Sequence, residues 1–76
     1  MDNIKPNVPS EARSVIADLD SIVDGFGIER TADAAADWWL ESQYARVDVE
    51  PEWTQAESDA YFEAMKAELI RLGLAA

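Results

Sequence analysis

The sequence contains no cysteine and no histidine among its 76 residues. Without cysteine, disulfides, thiol nucleophiles and thiolate metal sites are excluded, and without histidine the commonest general base and the commonest metal ligand are also missing. Basic residues are scarce: Lys5, Arg13, Arg30, Arg46, Lys66 and Arg71 make up the whole set, and they stand singly. Phosphate contacts draw on clusters of lysine and arginine, so direct nucleic-acid binding is not expected. The same scarcity argues against anchoring on a membrane surface, which relies on basic flanks. No run approaches the roughly 18 apolar residues that cross a bilayer. Met1 to Ser10 shows no apolar stretch after a basic one, so the chain reads as cytoplasmic and unprocessed.

Acid is what the chain has in excess. Sixteen Asp and Glu against six Lys and Arg give a formal net charge of −10 and a pI near 4.1. Such a charge keeps a small protein soluble, and it also speeds encounter with a basic protein surface. Length sets a second bound, because a domain this short buries only about 60% of the surface its unfolded chain exposes. One core fits, with no second domain, and no internal repeat or low-complexity tract is visible.

Periodicity then predicts the elements. Pro6 and Pro9 lie among polar residues and disfavour helix in the residue before them, so residues 1–9 read as a flexible arm. From Ser10, a helix cap, Ala12, Val15, Ile16, Leu19, Ile22, Val23 and Phe26 recur at three- and four-residue steps as one buried stripe, with Gly25 as the natural stop. Thr31 caps a second helix reaching to about Arg46. On it Ala36, Leu40, Tyr44 and Val47 fall on one side, and Ala35, Trp38, Ser42 and Ala45 nearly opposite, which makes it apolar on two faces. Pro51 interrupts the following connection, in which Val47 and Val49 suit a short extended piece. Thr54-Gln55-Ala56-Glu57 is a capping box opening a third helix, whose inward stripe is Ser58, Tyr61, Phe62, Met65, Leu69 and Leu72, and Gly73 ends it. The expected fold is all-α, a single three-helix domain over residues 10–76, running up-down-up because short connections join antiparallel neighbours.

Carboxylates, hydroxyls and arginine are the functional groups that remain for chemistry. A carboxylate pair hydrolyses glycosides only in a cleft of several hundred cubic ångströms, which three short helices rarely enclose, so no catalytic residue, metal site or cofactor is assigned. Asp18, Asp20 and Asp24 ahead of Gly25 invite comparison with a calcium loop. Placing Gly25 at the required glycine leaves Ile22 where a ligand belongs and Thr31 where the closing glutamate belongs, so these acids read as a solvated helix face. Asp20-Ser21-Ile22 resembles the Asp-Ser-Leu signature of acyl and peptidyl carrier proteins, whose serine carries phosphopantetheine. The resemblance covers three residues, and it departs from that family in placing Ser21 within a helix, without the long loop that precedes the serine there.

Asp33, Asp37 and Glu41 are spaced four apart and rise about 6 Å per step along one helix edge. Like charges so spaced repel by a few tenths of a kcal/mol per pair, and no lysine or arginine stands four residues from them. With Asp48, Glu50 and Glu52 beyond the helix end they form a line of negative charge able to imitate a nucleic-acid backbone. The plainer reading is a solvated edge. Trp38 and Trp39 project about 100° apart and cannot both fill one narrow stripe. Trp39 reads as core, while Trp38 and Trp53 suit either core or a partner surface, where tryptophan is enriched.

Three functions fit these features. The leading one is a non-enzymatic module binding a basic surface of another protein, such as a nucleic-acid-binding enzyme or complex, and inhibiting it. Asp33, Asp37, Glu41, Asp48, Glu50 and Glu52 would supply the charge, and Trp38 and Trp53 the apolar anchors. Small acidic proteins that phages make against host defence, including anti-CRISPR and anti-restriction proteins, act in this way, and it is size, charge and lack of chemistry, not a sequence motif, that bring that class forward. The second is an adaptor or accessory subunit docking through the apolar face of the second helix. The third is a carrier-like protein modified at Ser21. A homodimer would also satisfy a two-faced helix.

Overall fold

Side-chain caps open three of the four helices described. The structure, a computed structural model, describes residues 6–45 and 53–76. The Asn7 side chain accepts a hydrogen bond from the Ser10 N–H at 3.1 Å and opens α1, Val8–Ala17. Asn7 therefore replaces Ser10 as the cap, and the helix starts at Val8 instead of Ser10. Pro9 is accommodated because the first turn has no use for its missing N–H.

The predicted first helix is two helices. Asp18, at φ −103° and ψ 11°, leaves the helical well, and α2 follows as Leu19–Phe26. The break preserves local bonding, since the Asp18 N–H donates to the Ser14 carbonyl at 3.1 Å and the Asp18 carbonyl accepts from Ile22 at 3.0 Å. Apolar spacing runs through such a break unaltered, which is why the periodicity predicts one helix. Gly25 does not stop α2. Gly27 does, at φ +68°, with its N–H bonded to the Val23 carbonyl at 2.9 Å.

The two glycines give opposite expectations. An added methyl would meet nothing within 4 Å at either position, so backbone conformation alone sets the outcome. Gly27→Ala is expected to destabilise by about 1–2 kcal/mol, the cost of a left-handed non-glycine residue. Gly25→Ala, inside the helix, is expected to stabilise by about 0.5–1 kcal/mol. Chemical denaturation of both variants checks the pair, and equal effects would place the helix end elsewhere.

Thr31 caps α3, Ala32–Tyr44, its hydroxyl accepting from the Ala34 N–H at 3.1 Å. The capping box forms in full: the Thr54 hydroxyl accepts from the Glu57 N–H at 3.1 Å, and the Glu57 carboxylate accepts from the Thr54 N–H at 3.0 Å. It opens α4, Gln55–Arg71. The end of α4 is a Schellman closure around Gly73, at φ +107°, with the Leu74 N–H on the Leu69 carbonyl and the Gly73 N–H on the Ile70 carbonyl. The tail then turns back, and the Ala75 carbonyl accepts from the Ala32 N–H, one of the free donors at the start of α3.

The all-helical class holds, with four helices where three were expected and no strand among the described residues. The expected extended piece at Val47 and Val49 lies outside those residues. The core joins Ala12 and Val15 of α1, Leu19 and Ile22 of α2, Ala32, Ala35, Ala36 and Trp39 of α3, and Met65 and Leu69 of α4. It is α4, not the middle helix of the sequence reading, that packs against both α1 and α3. Consequently α3 needs one buried stripe, Ala32, Ala35, Ala36, Trp39 and Gln43, running between the two apolar sides expected of it. On α4, Ser58, Met65 and Leu69 are buried, and Tyr61, Phe62 and Leu72 are half-buried beside them.

At the C-terminal end of α4 Arg71 donates to Glu68 through Nε at 2.7 Å and through a terminal guanidinium nitrogen. That hydrogen bond holds the Glu68 carboxyl below its ordinary value of 4.5, and the Arg71 charge adds to the effect. A carboxylate with a depressed folded pKa contributes stability above its ordinary value and loses it as pH falls through the lowered one. Glu68→Gln is thus expected to flatten the acid side of the stability profile near and below that value. Denaturation midpoints across pH check it, and an identical profile would contradict it.

Candidate acidic and aromatic face of α3

The stripe that buries α3 also dictates what it exposes. With Ala32, Ala36 and Trp39 turned inward, Asp33, Asp37 and Glu41 fall on the solvent side, and all three are exposed. The acid row predicted from spacing therefore exists as a surface feature. Its relief differs from the sequence reading, because Lys66 of α4 reaches Asp33, Nζ to Oδ1 at 3.4 Å. Helix packing supplies a cation that no i,i+4 rule could find. Asp37 and Glu41 have no ion-pair partner among the described residues. Of the other cations described, Arg30 pairs with Asp20 and Arg71 with Glu68.

Beside the acids lies an aromatic pair. Trp38 is half-buried and packs against Phe26 at the end of α2, with ring centroids 5.4 Å apart and planes at 57°. Phe26 itself is 65% exposed, although its spacing placed it in the buried stripe. It occupies the last position of α2 before the Gly27 cap, beyond the core formed by Leu19 and Ile22. Phe26, Trp38, Glu41, Ser42 and Ala45 line an open groove of about 370 Å³. The Ser42 hydroxyl donates to the Trp39 carbonyl at 2.6 Å, and among the described residues Glu41 is the one charged group in the lining. A groove of this size was not expected from three short helices.

The remaining candidates separate. Trp39 is core, 3% exposed, with its indole N–H donating to Glu11 at 3.4 Å. Trp53 is half-buried against rings of the chain itself, 4.6 Å from Tyr61 and 5.9 Å from Tyr44, and the Tyr44 hydroxyl is hydrogen-bonded to the buried Ser58. These contacts fasten the end of α3 to the start of α4, so Trp53 is engaged within the fold. Asp48, Glu50 and Glu52 lie outside the described residues. Ser21 is exposed in the first turn of α2, not in the middle of a long helix, and α1 reaches it through Asp18 without an intervening loop.

Among the described residues no group of three or more His, Cys, Asp or Glu side chains is placed to hold a metal ion, and no helix is long and apolar enough to cross a membrane. No family model matches the chain, and comparison with curated proteins and with solved structures finds no match.

Proposed function

We propose that the chain is a non-enzymatic, cytoplasmic protein-binding module that occupies a basic, nucleic-acid-binding surface of another protein and inhibits it by imitating the displaced nucleic acid. What supports this reading is the exposed edge of Asp33, Asp37 and Glu41, of which only the first has a cation beside it among the described residues. Such a row is locally unfavourable to its own helix and favourable to a basic partner. Asp48, Glu50 and Glu52 would extend the line along the sequence.

Affinity capture at low and physiological ionic strength tests it. Recovery of a nucleic-acid-binding protein at low salt, weakened at higher salt and competed off by DNA or RNA, is expected because exposed charges are screened within about a Debye length. A second reading, an adaptor subunit docking through an apolar face, draws support from the 65% exposure of Phe26 next to Trp38. A partner retained equally at both salts and indifferent to nucleic acid would replace the first reading with the second.

A further inference from the structure

Among the described residues, the groove of Phe26, Trp38, Glu41, Ser42 and Ala45 is walled by two aromatic rings and carries one carboxylate. This pairing selects among occupants. An apolar side chain would leave Glu41 facing it without compensation, and a lysine would meet the carboxylate as a hydrated point charge. A planar guanidinium satisfies both walls at once, stacking on an indole or phenyl face while its N–H fork meets the carboxylate. Asp37, one turn before Glu41 on the same exposed side, adds negative potential at the rim. A second copy of a chain with net charge −10 would bring like charge to that rim.

We infer that the groove receives an arginine side chain of the partner protein, its guanidinium lying against Trp38 and Phe26 and hydrogen-bonded to Glu41. The inference rests on the protein-binding reading and deepens it: the acid row supplies attraction, and the groove supplies a preference for arginine over lysine. Phe26 is the position where that preference can be removed at least risk to the fold, being 65% exposed.

The test uses the full chain and two capped peptides of equal length and charge, an arginine–serine repeat and its lysine-for-arginine counterpart. Affinities come from calorimetry, and the Trp38 indole resonance, assigned with Trp38→Phe, reports on the groove. The arginine peptide is expected to bind about two- to fivefold tighter, the range of an exposed cation–π contact. It should also shift the Trp38 indole, and both effects should vanish in Glu41→Gln and in Phe26→Ala. Equal affinities with an unmoved indole would overturn the arginine site while leaving charge-led binding intact. Failure of both peptides to bind at low salt would overturn both readings. A dimer in sedimentation that Phe26→Ala dissolves would assign the groove to a second copy and overturn the inference.

Discussion

Leu69→Ala is expected to destabilise the protein by about 2–5 kcal/mol, the range for removing a buried leucine. Leu69 and Met65 are the largest fully buried side chains described, each 0% exposed, and both stand on the helix that packs against α1 and α3. Truncation there opens a cavity on the helix that packs against both α1 and α3. A chain of 76 residues is held by about 4–11 kcal/mol in total, so one substitution removes a large fraction. Phe26→Ala provides the contrast. Its ring is 65% exposed and rests on Trp38 alone among the aromatic rings described, so its removal should cost about 0.5–1.5 kcal/mol. Denaturant unfolding of both variants distinguishes a core centred on α4 from one centred elsewhere, and a Leu69→Ala effect below that of Phe26→Ala would contradict this packing.

Asp37→Lys is expected to act with opposite signs on stability and on binding. In the acid row Asp37 has Asp33 four residues before it and Glu41 four residues after, and all three are exposed. A lysine there turns two repulsive i,i+4 pairs into attractive ones, a gain of about 0.8–2 kcal/mol in helix stability. Toward a basic partner the same change replaces attraction with repulsion. Adding Glu41→Lys completes the reversal and is expected to weaken binding by about 1–4 kcal/mol at low salt, roughly five- to several-hundredfold in Kd. Asp33 is the poorer choice for this test, because Lys66 already lies 3.4 Å from it and its loss would also remove a contact between α3 and α4. A variant that is more stable yet binds less well separates a binding role from a solubilising one.

Much of this architecture is legible in the sequence, and the departures have physical causes. Thr31 and the box from Thr54 to Glu57 cap as spacing predicts, because a cap is a local bond between residues three apart. The buried stripe of α4 is legible for a similar reason. Asp18 is not, since a single residue at φ −103° leaves both the hydrogen bonds and the apolar rhythm on either side of it intact. Choosing between Gly25 and Gly27 as the stop requires φ, which composition does not carry. The exposure of Phe26 depends on where α2 ends relative to α3, and the Lys66–Asp33 pair on how α4 lies along α3. Both are tertiary facts. Within the candidate face the sequence points to Asp33, Asp37, Glu41 and Trp38, while Phe26 comes from the structure alone. Trp53, for which the sequence leaves core and partner surface open, is half-buried and packs against Tyr44 and Tyr61.

The central claim is that the outer face of α3 binds a basic protein surface through charge. Its most direct test is the affinity of the captured partner for the native chain and for the Asp37→Lys, Glu41→Lys variant, measured at low and physiological ionic strength, with circular dichroism confirming that both are folded. The native chain should bind more tightly at low salt, and the variant should lose both the affinity and most of its salt dependence. Unchanged binding by the folded variant at both salts would contradict the claim.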